Sequence, residues 1–298
     1  MSRAQVGRLT EAAQVIASAR RLADELLFPA ASMVDAAETV PVGHLNTLAA
    51  LGFYGLTGPT EAGGLGMEGP AAWRTIEELA GGCLTTTFVW LQHLGVVQAL
   101  SKAAPHMQER LVPMCGGRVR AGIALGGVRP EPTLRAELSD TGWVLDGYSP
   151  WVTGWGLIDV VHVAARTRDD QVLWCLLDAV PAASVAVHHL RLAAVNASST
   201  VTLDFDRFPV PEDRITFIFP YSQWQEIDSM GLRPNGSLSL GLTGRCCRLL
   251  GPGYLDDELG QLRQDLDGAD PGELPRLRAA AAEMALRAAA AVVTASGS

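Results

Sequence analysis

The feature that most constrains the fold of this chain is a change of residue periodicity near residue 118 and a change back near residue 222. On both sides, apolar residues recur at helical spacing in stretches rich in alanine and leucine. Between Val119 and Ile218, short β-prone runs such as AGIAL and DVVHVAAR are separated by Gly, Pro, Asp and Asn. This pattern favours an antiparallel sandwich or barrel of about 100 residues. The sequence therefore predicts a multidomain α+β protein in the order helices, β domain, helices.

The same changes predict the domain boundaries. We expect an N-terminal α-helical domain over residues 1–117, a central antiparallel β domain over 118–221 and a C-terminal α-helical domain over 222–298. The last domain should contain two helices, over 231–250 and 273–295, joined by a polar connector rich in Gly and Asp. Two helices cannot bury both of their apolar faces alone. We therefore expect them to dock on the first helical block or on another subunit.

Composition excludes several classes of protein. Hydrophobic residues make up 48% of the 298 and charged residues 18%, which fits a chain with a sizeable core. A net charge of −9 without a basic stripe argues against a nucleic-acid surface. We expect neither a signal peptide nor a membrane span. Five scattered cysteines without CxxC spacing and six unclustered histidines predict reduced thiols, no metal site and a cytoplasmic location.

The segment Trp151-Val152-Thr153 carries the clearest functional pattern in the β block. Side chains alternate across the two faces of a strand, so Trp151 and Thr153 are predicted to point the same way. A flat aromatic beside a hydroxyl can wall and hydrogen-bond a planar cofactor. A core strand with an inward tryptophan has the same spacing, and the pattern alone leaves both interpretations open.

Several segments taken together resemble the acyl-CoA dehydrogenase superfamily. The resemblance covers about residues 10–295, and the glycine-rich loop followed in this order by WVT is its most specific part. The segments that carry it are Leu48–Phe53, Thr57–Gly66, Ile76–Ala80, Asp146–Tyr148, Trp151–Thr153, Phe205 and Val210–Asp213.

This resemblance implies an N-terminal α domain, a β domain and a C-terminal helical bundle, in homo- or hetero-oligomers. It also implies FAD as cofactor and an acyl-CoA, or another acyl thioester, as substrate. Trp151, Val152 and Thr153 match the segment at the edge of the flavin, which favours the cofactor wall over the core strand. Leu125 and Gly126 match the strand end that hydrogen-bonds the flavin pyrimidine, with Gly126 where the family usually has threonine.

Other family features do not match. The loop from Gly127 to Thr133 lacks the family's serine pattern; Arg129 could meet a phosphate there, but a solvated arginine is the simpler interpretation. The pyrophosphate arginine before a Phe-Gly pair is also absent, although Arg263 lies near its position.

No catalytic base can be assigned. The family places its glutamate in a late loop, which the resemblance puts beyond Ser298, or on the first C-terminal helix, where Gly236 lies near the aligned position. We therefore expect an incomplete C-terminal bundle. Asp228 could reach inward but is better interpreted as a helix cap, and Glu258 and Glu283 are interpreted as surface charges.

Three further groups of residues have both a functional and a structural interpretation. Thr85-Thr86-Thr87, with Gln92 and His93, lie on a helix that passes near the family's substrate channel; backbone-bonded threonines and a buried, hydrogen-bonded His93 are alternatives. His188-His189 is interpreted as surface or edge.

Three functions remain open. The first is FAD-dependent α,β-dehydrogenation of an acyl thioester. The second is a catalytically silent subunit that completes the flavin site of an active, acyl-CoA dehydrogenase-like partner, as the missing glutamate favours. The third is a reduced-flavin-dependent monooxygenase on the same fold, whose oxygen chemistry does not need the α-proton base.

Overall fold

The computed structural model describes residues 3–297 of the chain. Backbone contacts divide these residues into two compact units, each assembled from segments distant in sequence. The first unit contains the residues up to Met33, Met67–Phe88 and the segment from Glu226 onward. The second contains Val34–Gly66 and Val89–Gln225. The three-domain boundaries at 118 and 222 stay a prediction.

Helices occupy both ends of the chain, as the periodicity predicts. A π-helical turn, Ala23–Leu27, joins the first two without a break. The α-helices are α1 Arg3–Leu22, α2 Phe28–Ala36, α3 Val42–Ala50, α4 Gly69–Ala80, α5 Leu84–Leu100, α6 Pro105–Gln108, α7 Leu111–Cys115, α8 Tyr221–Leu250, α9 Tyr254–Gly268 and α10 Leu274–Ser296.

Eight strands lie between the helical blocks and form one sheet. They are β1 Ala121–Ala124, β2 Leu134–Ser139, β3 Gly142–Val152, β4 Val160–Arg166, β5 Gln171–Asp178, β6 Val185–His189, β7 Val201–Pro209 and β8 Ile215–Pro220. Their order is β6-β7-β3-β2-β4-β5-β8, with β1 paired to β4. The order helices, sheet, helices is thus confirmed.

The sheet is mixed, whereas the sequence predicts an antiparallel one. Strands β1 and β4 pair in parallel from Ala121 opposite Val160 to Ala124 opposite Val163. Strands β2 and β4 also run parallel at Arg135 opposite Arg166. The remaining pairs are antiparallel. Parallel pairing joins strands separated by other elements, so short-range turn signals give no indication of it.

The core of the second unit consists of two apolar clusters, one on the sheet and one that includes the last residues of helix α5. Alternate residues of β3, β4, β5 and β7 are apolar and fully buried, which is why these short runs form strands rather than loops. Strand β4 is buried along its whole length, so both of its faces are covered. Helix α5 contributes Val96, Val97 and Leu100 to the second cluster, which also contains residues of α7, β1 and β4.

The glycine-rich loop forms a close backbone packing within the second unit. Gly63 has a φ of +80°, which favours glycine. A Cβ on Gly64 would lie 2.2 Å from the carbonyl oxygen of Gly58, so no side chain fits there. Glycine is therefore required at Gly63 for its backbone angle and at Gly64 for its close contact with Gly58.

The C-terminal segment contains three helices where two were predicted. The supposed connector is helix α9, whose leucines recur at helical spacing and pack with α8 and α10. Helix α8 begins at Tyr221, next to residue 222, where the sequence predicts that helical periodicity returns, and it includes the helix predicted over 231–250. The prediction failed because α9 has four Asp and two Gly among its fifteen residues, a composition typical of a polar connector. Its buried face is carried by Leu255, Leu259 and Leu266.

Helix α10 is long and apolar enough, by length and composition alone, to cross a membrane. One such helix is weak evidence, since core helices of soluble proteins pass the same test. Here Leu277 and Met284 pack in the apolar cluster with α9, and Arg287 pairs with Glu258 of that helix. The absence of a membrane span stays a prediction.

Candidate functional site

The two segments predicted to contact a flavin lie side by side in the second unit. Gly126 follows strand β1, and its backbone N–H donates to the hydroxyl of Ser149 on β3 at 3.0 Å. A Cβ on Gly126 would lie 2.7 Å from the carbonyl oxygen of Tyr148. The chain therefore needs glycine at position 126, where the family usually has threonine. Only glycine lets the two backbones approach this closely.

Leu125 and Gly126 differ in solvent exposure and in hydrogen bonding. Leu125 is 37% exposed at the end of β1. Gly126 is buried, and its carbonyl accepts the Thr133 N–H at 2.9 Å while its own N–H is engaged by Ser149. The backbone groups of Gly126 thus have partners within the chain. Leu125 and Tyr148, which precede the hydrogen-bonded Gly126 and Ser149 in sequence, are both exposed.

Trp151 is exposed and its backbone is strained. Its side chain is 60% exposed, and its φ is +64°, a conformation that non-glycine residues adopt rarely. From Ser149 to Val152, strand β3 advances three residues while β7 advances two, from Leu203 to Val201. This is a β-bulge, a device that re-aims side chains. A strained, exposed aromatic contributes little to a core, so the core-strand interpretation of Trp151 is wrong.

The bulge also breaks the predicted alternation. Val152 is fully buried, and Thr153 is only 3% exposed, unlike Trp151. The expectation that Trp151 and Thr153 share one face therefore fails in terms of burial. The hydroxyl of Thr153 lies 3.2 Å from that of Thr200 at the start of β7. Its cofactor role stays a prediction.

A second strained segment holds this end of β3. Ser199 has a φ of +51° and Val195 a φ of +53°. The carbonyls of Ser198 and Ser199 accept the N–H groups of Gly154 and Trp155 at 2.9 and 3.0 Å. Strain in two segments that hydrogen-bond to each other marks a candidate functional site, because strained backbone concentrates at such sites.

The segment Thr39-Val40 hydrogen-bonds to the strained loop that contains Ser199. The Ser199 hydroxyl donates to the Thr39 hydroxyl at 2.9 Å, and the Val40 N–H donates to the Ala197 carbonyl at 2.9 Å. Sequence reasoning did not single out Ser149, Ser198, Ser199 or Thr200. Their only signal is composition, since small hydroxyl residues are common in any loop.

The loop after Gly126 is held by a buried arginine. Arg166 is 4% exposed; it donates to the carbonyls of Gly127 at 2.9 Å and Arg129 at 3.2 Å, and its guanidinium stacks 3.3 Å from the centre of the Tyr221 ring. The Arg129 side chain itself is exposed, which agrees with a solvated arginine.

In the first unit, a buried carboxylate is enclosed by arginines. Glu77 of α4 is 3% exposed and accepts from Arg74 at 2.7 Å, Arg233 at 3.2 Å and Arg263 at 2.8 Å. Burial raises the pKa of Glu77 to about 7, against the guanidinium groups of Arg74 and Arg233, which lower it. Arg233 also pairs with Asp267. The cluster joins α4, α8 and α9, so Arg263 has a structural partner here.

The remaining candidate residues from the sequence are hydrogen-bonded within the chain, ion-paired or exposed. The hydroxyl of Thr87 donates to the Cys83 carbonyl at 2.9 Å, which is the backbone-bonded alternative for this residue. The hydroxyl of Thr86 donates to the Cys83 sulfur at 3.2 Å. Asp228 lies inside α8 and is exposed, so its interpretation as a helix cap is wrong. Glu283 is exposed, and Glu258 pairs with Arg287. His188 and His189 are exposed on β6, as predicted.

His93 is a buried structural histidine. Its Nδ1 accepts the Ala121 N–H at 3.0 Å, and its Nε2 lies 3.1 Å from the Met114 carbonyl. These partners require the neutral tautomer with the proton on Nε2. Burial lowers its pKa to about 3. The hydrogen-bonded alternative for His93 is confirmed.

A cavity of about 230 Å³ lies against one face of the sheet in the second unit. None of the five predicted site residues lines it. It is lined mainly by apolar side chains of β4, β5 and β7, with the Arg214–Asp178 ion pair at its edge. Within residues 3–297, no group of three His, Cys, Asp or Glu side chains could hold a metal ion. The five cysteines are buried and free, as predicted.

Comparison with known proteins agrees with the resemblance. Residues 10–117 match the family model of the acyl-CoA dehydrogenase N-terminal domain. The 3-sulfinopropanoyl-CoA desulfinase of Variovorax paradoxus is 28% identical over 163 residues, 52% of this chain and 41% of its own length. Benzylmalonyl-CoA dehydrogenase of Aromatoleum aromaticum is 28% identical over 207 residues, 64% of this chain and 53% of its own. The chain thus spans about half, or less, of these curated relatives.

Solved structures share the fold over nearly all of the chain. Butyryl-CoA dehydrogenase from Megasphaera elsdenii superimposes with a TM-score of 0.81 at 16% identity, covering 96% of this chain and 88% of that one. PigA with FAD and proline gives a TM-score of 0.82 at 16% identity, covering 95% and 86%. Residues 10–117 thus match the acyl-CoA dehydrogenase N-terminal domain, and the described part of the chain has the acyl-CoA dehydrogenase fold.

Proposed function

We propose that the chain binds FAD against the wall formed by Leu125, Tyr148 and Trp151, and takes part in the α,β-dehydrogenation of an acyl thioester. The observation that carries the proposal is Trp151: an aromatic held at a φ of +64° and left 60% exposed. The strain costs roughly 1–3 kcal/mol and gains no core packing in return. A stacked planar ligand would offset that cost.

The residues around Trp151 fit the flavin ring. Leu125 and Tyr148 add exposed apolar surface, and Gly126 keeps the two backbones in contact, since a Cβ there would clash with the Tyr148 carbonyl. Exposed apolar side chains suit the faces of an aromatic ring system, and neighbouring hydroxyls suit the polar atoms at its rim. Val152, fully buried, anchors the wall in the sheet core.

When bound, FAD would accept the hydride that leaves the β-carbon of the thioester. The residues of the chain would orient the ring and exclude water from it. Trp151 would cover one face, Leu125 would contact its edge, and the Thr153 hydroxyl would hydrogen-bond a ring atom. The CoA thioesters named in both sequence relatives support a thioester as substrate.

A silent subunit is the second candidate, because Glu77 and Glu258 are paired with arginines and Asp228 and Glu283 are exposed. Glu77 accepts from three arginines, and Glu258 pairs with Arg287. A partner of acyl-CoA dehydrogenase type would then supply the base, and this chain would complete the partner's flavin site. Homo- or hetero-oligomers and a cytoplasmic location belong to the same proposal.

One experiment separates the candidates. The purified protein is incubated with FAD, freed of unbound cofactor, and titrated anaerobically with acyl-CoAs of several chain lengths while the flavin absorbance is recorded. Bleaching by an acyl-CoA supports the dehydrogenase. Bleaching only after co-expression with a dehydrogenase homologue supports the silent subunit. Retention of reduced flavin alone, with oxygen consumption driven by a reductase, would favour the monooxygenase, and no retention in any form would contradict the proposal.

A further inference from the structure

Three buried hydroxyls form a chain that ends at Thr153. The Ser198 hydroxyl lies 2.7 Å from that of Thr200, and the Thr200 hydroxyl lies 3.2 Å from that of Thr153. The residues are 0%, 2% and 3% exposed, respectively. The adjoining register pairs Val152 with Val201, so Thr153 and Thr200 face each other across β3 and β7.

The arrangement links the three hydroxyl protons. Each hydroxyl has one hydrogen to donate and two lone pairs to accept. If Ser198 donates to Thr200 and Thr200 donates to Thr153, the Thr153 hydrogen is left to donate elsewhere. If the direction reverses, Thr153 donates to Thr200 and can only accept from a ligand. Thr200, in the middle, links the state of Ser198 to that of Thr153, because it contacts both hydroxyls.

The backbone holds the three residues in place independently of their hydroxyls. The Ser198 carbonyl accepts the Gly154 N–H, and the Thr200 carbonyl accepts the Leu190 N–H at 3.0 Å. Removing one hydroxyl therefore leaves the strand ends paired. The effect of removing a hydroxyl on cofactor binding can therefore be distinguished from a loss of folding.

We propose that Thr200 is a positioning residue for the cofactor: it orients the Thr153 hydroxyl so that this hydroxyl donates to an acceptor atom of the flavin ring. This inference rests on the proposed function, because it needs FAD beside Thr153. Thr200 itself does not touch the cofactor. Ser198 supports the same orientation from the far end of the chain of hydroxyls.

The test is a double-mutant cycle on FAD binding. Thr153→Val, Thr200→Val and the double variant are compared with the wild type by dissociation constant for FAD and by the visible flavin spectrum. A net hydrogen bond contributes about 0.5–1.5 kcal/mol, so each single variant should bind FAD about 2- to 13-fold more weakly. Because Thr200 acts through Thr153, the double variant should bind no more weakly than Thr153→Val alone.

Two further variants separate positioning from packing. Thr200→Ser keeps the hydroxyl and should restore wild-type affinity and spectrum, whereas Thr200→Val should reproduce the spectral change of Thr153→Val. Ser198→Ala should weaken FAD binding less than Thr200→Val. Thermal unfolding without FAD identifies any variant that fails to fold.

The outcomes distinguish this inference from the proposed function. If the wild type binds FAD but the two Val substitutions weaken binding additively, or Thr200→Val has no effect, the positioning role is overturned and the flavin site stands. If Thr200→Ser behaves like Thr200→Val, the hydroxyl is not the cause, and the inference is overturned again. If the wild type does not bind FAD at all, the proposed function and this inference both fail.

Discussion

The Gly126 N–H donates to the Ser149 hydroxyl at 3.0 Å, which ties the end of strand β1 to β3 two residues before Trp151. Gly126 and Ser149 are both buried, with Ser149 fully so. One hydrogen bond thus joins the two segments from which we propose that the flavin wall is built. The bond also explains how segments separated by more than twenty residues in sequence lie side by side.

Replacing Ser149 tests this tie. Ser149→Ala leaves the buried Gly126 N–H unpaired, which costs about 1–3 kcal/mol. We expect the free energy of unfolding, measured by urea denaturation, to fall by that amount. Ser101→Ala serves as control, because that hydroxyl caps an exposed helix end within its own turn. Equal, small losses in both variants would contradict the account.

Two glycines of helix α8 should respond in opposite ways to alanine. A Cβ on Gly236 meets only the Leu266 methyl groups, at 3.8 Å, so Gly236→Ala should stabilise the fold by about 0.5–1 kcal/mol. A Cβ on Gly241 would lie 2.2 Å from the Glu77 carbonyl oxygen, so Gly241→Ala should destabilise it by more than that. Thermal melting of both variants checks the packing of α8 against α4, and the same sign for both would refute it.

Trp151 should show the strain of its backbone. L-residues other than glycine lose roughly 1–2 kcal/mol in the left-handed conformation. Trp151→Gly should therefore be about 1 kcal/mol more stable than Trp151→Ala, although glycine normally destabilises strands. Urea denaturation of both variants measures the difference. A less stable glycine variant would show that the positive φ is not maintained in solution.

Stability should fall steeply in acid because of two buried histidines. Burial lowers the pKa of His93 and of His162 to about 3, from an ordinary value of 6.5. Below pH 6.5 the unfolded chain binds these protons and the folded chain does not, so each histidine removes about 1.4 kcal/mol per pH unit down to about pH 3.

The slope of unfolding free energy against pH between 6 and 4 measures this effect. His162→Gln should reduce the slope by the contribution of one proton. A slope unaffected by His162→Gln would contradict the burial of that ring beside Thr216 and Trp174.

The sequence predicts the architecture well and the details of the site poorly. Periodicity identifies the helical blocks and the β block, since it reflects which faces are buried. It fails at α9, where acidic residues outnumber the leucines on the buried face, although Leu255, Leu259 and Leu266 keep helical spacing. Parallel pairing of β1 with β4 depends on contacts remote in sequence and leaves no local signal.

The site shows the same limit. Trp151 and Leu125 could be selected by resemblance, but the β-bulge that exposes Trp151 depends on its register with β7. Likewise, Ser149 and Thr200 matter through partners 23 and 47 residues away. Serine and threonine are too common for their identity alone to indicate such partners.

The most direct test of the central claim is the dissociation constant for FAD of the wild type and of Trp151→Ala, measured by titration calorimetry. Tyr254→Ala, which removes an exposed aromatic from α9, is the matched control. The account predicts that the wild type binds FAD, that Trp151→Ala binds it at least tenfold more weakly, and that Tyr254→Ala matches the wild type. Unchanged affinity in Trp151→Ala would contradict the assignment of Trp151 to the flavin wall.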